Sequence, residues 1–463
     1  MAPAVRPSIR WRSFMRRCGL LSDRPARGWY DADPIGVRSG RHRFPPRPLL
    51  RERQLRQPPP PREIGTMKPP PRRPVVLVFA AYYRPAFRSG GPLRTLLNMV
   101  DQLGDEVDFR IFTRNHDLGS REPLAGVPLG QWCDVDGTQV FYGSSSDRSL
   151  SAVSRMIRDV GPDTVYLNSF LDPSFSILPL VVRRCGWTAP GIRWVLAPRG
   201  EFAPSALRIK APKKRLFRSA ARLTGLHAGL TWQASSDFER DDIRRAMGGI
   251  AADIRVATDL TERLADMPPP ATPRPEGPMR VCLLSRISPM KNVCYAIEVV
   301  LRLRCPVEFS IHGPIEDRAY WETCQPLIAA APAGCRIAWK GEVSPDQVRA
   351  TIARHDLFLL PTRGENFGHV IFESLAAGVP VLVSDRTPWR DLDARGSGWV
   401  RPLETPQAFV DVLESAAARD SAARRAAAVS AHAHALEVSR SAAVLGANRG
   451  LFLDAATEAP PAA

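Results

Sequence analysis

The sequence has 463 residues, of which 44% are apolar and 24% charged, which predicts two or three globular domains with buried cores. No apolar run approaches the roughly 18 residues of a membrane-spanning helix, so the sequence predicts no membrane span. The formal net charge is +17, but residues 1–66 alone carry 15 arginines against 5 acidic residues. The rest is only moderately basic, so its charge does not by itself indicate nucleic-acid binding.

Residues 1–73 form an arginine- and proline-rich tail, for which we predict disorder because this composition cannot build a core. The tail lacks the continuous apolar segment and small-residue cleavage site of a secretory signal. Met67 directly precedes the predicted folded part and is a candidate for the true first residue. Whether residues 1–66 are translated is therefore left open.

The eight cysteines show neither CxxC pairs nor a regular spacing. This pattern favours reduced, mostly buried thiols in a cytoplasmic protein over a disulfide framework. Because cysteines and histidines do not cluster along the sequence, we expect no zinc site and no other bound metal ion.

Strand and helix patterns alternate from Pro74 onward. VVLVFAAYY predicts a buried strand, and the following segment Pro92–Leu103 places its leucines on one helical face. FRIFT, TVYLNS and RWVLAPRG predict further buried strands separated by helical segments. Such alternation is typical of an α/β sheet wound with crossover helices, and we assign residues 74–265 to this first domain.

A proline-rich segment at residues 266–278 interrupts the alternation and predicts a linker. After it, MRVCLLSRIS, VEFSIHG, RIAWKGEV, LFLLPT and VPVLVSD predict a second α/β domain over residues 279–425. Residues 426–457 predict a helical segment that can pack back on the first domain. The predicted fold class is therefore α/β, with two Rossmann-like, doubly wound domains facing each other across a cleft, where ligands usually bind.

The segment GENFGHVIFESLAAGVP places Glu365 before a predicted helix, at about Phe367–Ala377, and Glu373 within it. Eight helical residues rise about 12 Å. Paired carboxylates that act on one glycosidic bond lie closer, about 5 to 9.5 Å apart. The spacing therefore favours contacts with two ends of a long ligand. Backbone amides at the predicted helix start favour an anion, and they belong to Asn366, Phe367 and Gly368.

The longer stretch GENFGHVIFESLAAGVPVLVSD resembles the E-x7-E signature of the family-four retaining glycosyltransferases, which have the GT-B fold. The resemblance extends over most of the chain from Val75. SGGPLRTLL resembles the family's N-domain glycine loop, APRGEFAPSAL its acceptor-side loop, and SRISPMKN its Arg-x4-Lys pair. The order and spacing of several motifs make the resemblance specific.

The resemblance implies a role for each matching residue. Glu365 would contact a hydroxyl of the donor sugar, and Glu373 the ribose of the nucleotide. Arg286 and Lys291 would neutralise the diphosphate, so Glu365, Arg286 and Lys291 are the predicted catalytic residues. Residues predicted to bind the donor with Glu373 are Asn366, Phe367, Gly368, Gly90 and Gly91, and those predicted on the acceptor side are Arg199 and Gly200.

The expected activity is a metal-independent, hexosyl-type transfer from a UDP or GDP sugar, with retention of configuration and no further cofactor. The acceptor would be a glycan or lipid-linked hydroxyl in surface polysaccharide or glycolipid synthesis. No nucleic-acid partner is expected. Peripheral contact with the inner face of a membrane is expected. Lys210, Lys213, Lys214 and Arg215 form a basic run that suits either a solvated face or an anionic surface. One departure is that Asn168 and Ser169 occupy the loop where many relatives have a histidine.

Three other functions stay open at this stage. A nucleotide-sugar epimerase or phosphorylase can share the fold, but its additional acid/base residues or cofactor lysine are not evident. A non-catalytic sugar-nucleotide binder differs from a transferase only in turnover. A nucleic-acid-binding protein would depend on its basic tail, so deleting residues 1–66 would abolish its function, whereas a transferase would stay active.

Overall fold

The computed structural model describes residues 72–208, 211–265 and 277–453. The tail through residue 71, most of the predicted linker and the residues from 454 onward lie outside this range. The predictions made for these segments, including Met67 as a start, are therefore still predictions, as is the division into domains.

The first sheet contains eight strands in the described part of the chain. They are β1 (Val75–Phe79), β2 (Asp108–Arg114), β3 (Trp132–Val135), β4 (Thr138–Gly143), β5 (Thr164–Leu167), β6 (Arg193–Leu196), β7 (Thr231–Ala234) and β8 (Asp253–Val256). Their order is β3-β4-β2-β1-β5-β6-β7-β8, and only the edge pair β3–β4 is antiparallel. All five residues of the central strand β1 are buried, as expected for an apolar strand covered on both faces.

Helices connect the strands of this sheet. They are α1 (Gly91–Leu103), α2 (Leu150–Val160), α3 (Leu178–Arg184), α4 (Pro204–Arg208), α5 (Ala211–Leu223) and α6 (Asp237–Met247). α1 begins as predicted near Pro92 and packs Leu93, Leu96 and Met99 into the core of the first sheet. The crossover pattern inferred from the sequence is thereby confirmed.

The second sheet has six parallel strands among the described residues, in the order β11-β10-β9-β12-β13-β14. They are β9 (Met279–Leu284), β10 (Val307–His312), β11 (Cys335–Trp339), β12 (Leu357–Leu360), β13 (Val381–Ser384) and β14 (Gly398–Arg401). This is the doubly wound order in which the direction of winding reverses between β9 and β12. Ligands of such sheets bind beyond the carboxyl ends of the strands at that reversal.

The helices of the second half are α7 (Val293–Val300), α8 (Arg318–Ala329), α9 (Val348–Ile352), α10 (His369–Ala376), α11 (Pro406–Ala417), α12 (Ser421–Ser439) and α13 (Ala442–Gly450). α12 packs against α10 and contributes Ala431 and Ala435 to the core around it. Leu451 and Phe452, just after α13, lie instead in the core of the first sheet. None of the helices in the described ranges has the length and apolar character needed to cross a bilayer.

The burial of the cysteines differs from the prediction of mostly buried thiols. None of the seven described cysteines forms a disulfide, but only Cys282 and Cys324 are buried. Cys133 and Cys335 lie on the edge strands β3 and β11, where neighbouring strands cover one side only, and Cys185 is exposed. The expectation of mostly buried thiols was therefore wrong.

His227 is a buried imidazole in an aromatic cluster of the first half of the fold, by which we mean the first sheet and its helices. Its ring lies 4.8 Å from the Phe170 ring and 5.8 Å from the Trp232 ring, centroid to centroid, and neither ring nitrogen has a hydrogen-bond partner among the residues that the structure describes. Burial, with a smaller contribution from Arg183, lowers the pKa of His227 to about 3. An unfolded chain binds this proton near pH 6.5, so stability is lost as the pH falls from 6.5 toward 3.

Replacing His227 with phenylalanine is expected to raise the free energy of unfolding by about 1 to 3 kcal/mol at neutral pH, because an unpaired buried polar group is removed. The gain should be larger at pH 5, because protonation of His227 in the unfolded chain further lowers the free energy of unfolding of wild type at that pH. Urea unfolding at pH 7.5 and pH 5 measures both effects. His116→Phe, at a partly exposed site, is the control, and a His227→Phe protein less stable than wild type at both pH values would refute the expectation.

Candidate active site

Lys291 and Glu365 form an ion pair at the reversal point of the second sheet. Lys291 follows β9 and Glu365 follows β12, which are neighbouring parallel strands, so their carboxyl ends meet at one edge. Lys291 Nζ donates to Glu365 Oε1 at 2.5 Å, and both side chains are largely buried. Two of the three predicted catalytic residues thus contact each other directly.

Arg286, the third predicted catalytic residue, also follows β9 but is half exposed. Its guanidinium lies 2.5 Å from Glu316 Oε1, across the loops that follow β9 and β10. The backbone of these loops also pairs Ile287 with Ile315. Arg286 therefore lies on the same edge of the sheet as Lys291 and forms a separate ion pair with Glu316.

The loop before α10 carries the residues predicted to bind the donor. α10 begins at His369, two residues later than predicted, because Gly368 adopts a left-handed conformation with φ of 85°. Asn366, Phe367 and Gly368 therefore belong to the loop. Phe367 is buried, and its carbonyl accepts the Trp389 indole N–H at 2.7 Å. The side chain of Phe367 thus fixes the loop within the second half.

Asn366 contacts the loop predicted to lie on the acceptor side, which follows β6, through Glu239. The Asn366 amide donates to Glu239 Oε2 at 3.0 Å, and the Gly200 backbone N–H donates to Glu239 Oε1 at 2.6 Å. Glu239 is buried and also accepts from the backbone and hydroxyl of Ser235, both at 2.8 Å. Gly200 has φ of 77°, a conformation that residues with a side chain rarely adopt, whereas a Cβ at this position would only be in ordinary contact with Asn366, 3.6 Å away.

Arg199 faces inward. It has φ of 55°, uncommon for a residue with a side chain, and its guanidinium is almost fully buried. It donates to Asp259 Oδ1 at 2.6 Å, to the Tyr166 hydroxyl at 2.6 Å and to Asn168 Oδ1 at 2.8 Å. All three contacts hold the loop after β6 in place, so Arg199 stabilises the loop that was predicted to lie on the acceptor side.

His369 joins α10 to α1. Thr95 Oγ1 donates to Asp259 Oδ2 at 2.9 Å and lies 2.8 Å from His369 Nε2, so that nitrogen carries the proton and donates to Thr95. Burial, followed by the nearby Arg94 and Arg199 charges, lowers the pKa of His369 to about 3. The imidazole is therefore neutral at physiological pH. It packs beside Gly91, where a Cβ would lie 3.8 Å from His369 Cδ2.

Glu373 is paired with a cation from the other half of the molecule. Arg94, in α1 just beyond Gly90 and Gly91, lies 3.1 Å from Glu373 Oε1. Burial raises the pKa of Glu373, and the Arg94 charge opposes this rise. The α1 N-terminus thus contacts α10 at the second glutamate of the E-x7-E pattern.

Sequence reasoning missed the residues that connect the two halves, namely Arg94, Thr95, Glu239 and Asp259. Thr95 and His369 are 274 positions apart, and Thr95 and Asp259 are 164 apart. No local periodicity reports contacts at such separations. The only available signal was that Arg94 and Thr95 lie within the SGGPLRTLL motif.

The sequence matches two family descriptions that together span most of the chain. Residues 90–258 match the Glycosyl transferase 4-like domain, and residues 269–431 match the Glycosyl transferases group 1 domain. A comparison with curated proteins gave no significant match.

Solved structures with the same fold include several glycosyltransferases. A sucrose-phosphate synthase from Thermosynechococcus elongatus has a TM-score of 0.63 at 15% identity, covering 81% of this chain and 96% of that one. Anabaena HepE, solved with UDP and glucose, has a TM-score of 0.58 at 15% identity over 82% of this chain and 98% of that one. WaaG, a glycosyltransferase involved in lipopolysaccharide biosynthesis, has a TM-score of 0.55 at 15% identity over 82% and 100%. The chain therefore has the GT-B fold and belongs to the group 1 glycosyltransferases.

Proposed function

We propose that this glycosyltransferase moves a hexosyl group from a UDP or GDP sugar to an acceptor hydroxyl with retention of anomeric configuration. The observation that carries the proposal is the Lys291–Glu365 pair at the carboxyl ends of β9 and β12. The carboxylate proposed to contact the sugar and the cation proposed to contact the diphosphate are thus adjacent where ligands of such sheets bind. HepE, which is similar in fold, was solved in complex with UDP-glucose, which supports a nucleotide-sugar donor.

The proposed chemistry uses charge at the leaving group. As the bond from the anomeric carbon to the phosphate oxygen breaks, its electron pair stays on the nucleoside diphosphate, whose negative charge grows. Lys291 and Arg286 would stabilise that charge. The acceptor oxygen attacks from the same face and passes its proton to the departing phosphate oxygen. This route needs no protein nucleophile, metal ion or further cofactor, and the loop with Asn168 and Ser169 is compatible with it.

The acceptor is proposed to be a glycan or lipid-linked hydroxyl used in surface polysaccharide or glycolipid synthesis. The role of WaaG in lipopolysaccharide biosynthesis supports this class, because the shared fold covers 82% of this chain and 100% of WaaG. We place the reaction on the cytoplasmic side of a membrane, with the enzyme in peripheral contact with it.

The helix α5 supports membrane contact. It carries five lysines and arginines and no acidic residue in the 13 residues APKKRLFRSAARL. Leu216 and Leu223, two turns apart on one side of this helix, have exposed fractions of 69% and 89%. Exposed leucines flanked by cations match the interface of an anionic bilayer. Lys213, Lys214 and Arg215 of the predicted basic run belong to α5, whereas Lys210 lies outside the described residues.

Replacing Leu216 and Leu223 together with glutamate is expected to abolish most binding to vesicles that contain phosphatidylglycerol, because the apolar contribution is lost and the two new carboxylates are repelled by the anionic lipid. Co-sedimentation measures this. Val429→Glu alters another exposed apolar residue, with a 59% exposed fraction on α12, and should leave binding unchanged. Equal vesicle binding by the double variant and wild type would eliminate α5 as the contact surface.

Proton NMR of the reaction mixture tests the proposed transfer. The full chain is incubated with each of several UDP and GDP sugars and an acceptor extract. A retaining transferase releases nucleoside diphosphate and forms a new glycoside with the anomeric configuration of the donor. An epimerase would instead change the sugar while it stays attached to the nucleotide, a phosphorylase would require phosphate, and a non-catalytic binder would leave every donor unchanged.

A further inference from the structure

A cluster of one cysteine and two histidines lies in the second sheet and has no part in the proposed transfer. Cys282 belongs to β9, His312 ends β10, and His355 follows α9. One candidate ligand atom from each side chain lies within 4.8 Å of the other two. The sequence predicted no such group because these residues are far apart along the chain. Two adjacent strands and the loop leading into β12 bring them together.

The polar atoms of this cluster are poorly satisfied by the protein itself. His312 is 8% exposed, and neither of its ring nitrogens has a hydrogen-bond partner in the described chain. Leaving a buried polar group unpaired costs about 1 to 3 kcal/mol, so the arrangement calls for a partner. Cys282 is fully buried in the core shared with α10 and α12. Its thiol points to no exposed surface where it could react.

His355 is oriented as metal-binding histidines commonly are. Its Nδ1 lies 3.0 Å from the Thr351 carbonyl, so Nδ1–H donates to that oxygen and Nε2 keeps its lone pair. A backbone carbonyl on the far nitrogen fixes the tautomer and the ring orientation of a metal ligand. The His312 and His355 rings stand edge to face, with centroids 6.1 Å apart.

We propose that Cys282, His312 and His355 form a zinc site with three protein ligands, which joins β9, β10 and the loop before β12. One thiolate and two imidazoles are ligands that Zn²⁺ accepts, with the fourth position left for water. Ligand atoms around tetrahedral zinc are about 3.3 to 3.8 Å apart, so the side chains need shift by only about 1 Å. Zinc binding converts Cys282–SH to a zinc-bound thiolate and releases one proton to water.

Charged groups around the cluster act on a bound divalent ion in both directions. The Lys340 charge acts on His312, and the Arg280 charge acts on His355. These cations oppose a divalent ion, whereas the new thiolate and the Asp356 carboxylate beside His355 favour it.

Cobalt substitution tests the site in the full-length, untagged protein. After treatment with a chelator, one equivalent of Co²⁺ should bind per chain and give the absorption band of a cobalt–thiolate bond. Zn²⁺ should displace it and raise the melting temperature. Cys282→Ala should lose the band, and His355→Gln should weaken Co²⁺ binding at least about 100-fold. Cys324→Ala, at the other buried cysteine, should keep both.

Two results would overturn the proposal. One is wild-type protein that shows no cobalt–thiolate band. The other is a band of undiminished intensity in Cys282→Ala, since another thiol would then hold the ion. If Cys282→Ala does not fold, His355→Gln decides, because this partly exposed position tolerates an isosteric change. Wild-type Co²⁺ affinity in His355→Gln would then refute the site.

Discussion

Replacing Lys291 with alanine is expected to lower turnover about 100- to 1,000-fold, as removal of one charge-stabilising group from an active site commonly does. The lysine is the cation paired with Glu365, and the proposed reaction places developing negative charge beside it. Steady-state rates of nucleoside diphosphate release measure the effect. Arg336→Ala removes a cation from the same half at a side chain that is 83% exposed, and should retain wild-type turnover.

A structural effect of this substitution has to be separated from a catalytic one. Removing Lys291 leaves the largely buried Glu365 carboxylate without its cation, which destabilises the fold. The double variant Lys291→Met with Glu365→Gln removes both charges and should unfold near the wild-type temperature while staying inactive. A stable double variant that turns over donor at the wild-type rate would contradict the assignment of both residues.

Replacing Glu373 with glutamine is expected to weaken donor binding about 10- to 100-fold, because the hydrogen bond proposed from the ribose to this carboxylate would lose its charged acceptor. Arg94→Met should weaken it less, since Arg94 would act only by orienting the carboxylate. Calorimetric titration with the UDP or GDP donor measures both. Glu298→Gln, on the exposed side of α7, is the control, and wild-type donor affinity in Glu373→Gln would exclude Glu373 from the site.

Much of the fold follows from the sequence, but strand ends do not. VVLVFAAYY predicts a strand through Tyr83, whereas β1 ends at Phe79. Tyr83 is nevertheless buried in the core of the first sheet. Apolar residues therefore continue past the hydrogen-bonded ladder because the loop after β1 packs inward. A hydrophobic pattern in the sequence indicates which residues are buried, and here the buried residues extend beyond the end of the strand.

In the candidate site, too, some features could be predicted from the sequence and others could not. That Lys291 and Glu365 belong to one site follows from the sequence, since the family resemblance assigns both to the donor, although their direct contact depends on β9 and β12 being neighbouring strands. The contacts Arg94–Glu373 and Thr95–His369 do not, because they depend on how α1 meets α10. The cluster of Cys282, His312 and His355 was missed for a related reason. Strand order, which a linear spacing rule ignores, brings these three residues together.

Acceptor-dependent release of nucleoside diphosphate by the purified full chain tests the central claim most directly. A panel of UDP and GDP sugars is offered with and without a membrane-derived acceptor extract, beside Lys291→Ala and Arg336→Ala. We predict release from at least one donor that rises with acceptor, is retained in Arg336→Ala and falls at least about 100-fold in Lys291→Ala. Release that is equal in wild type and Lys291→Ala would contradict the account.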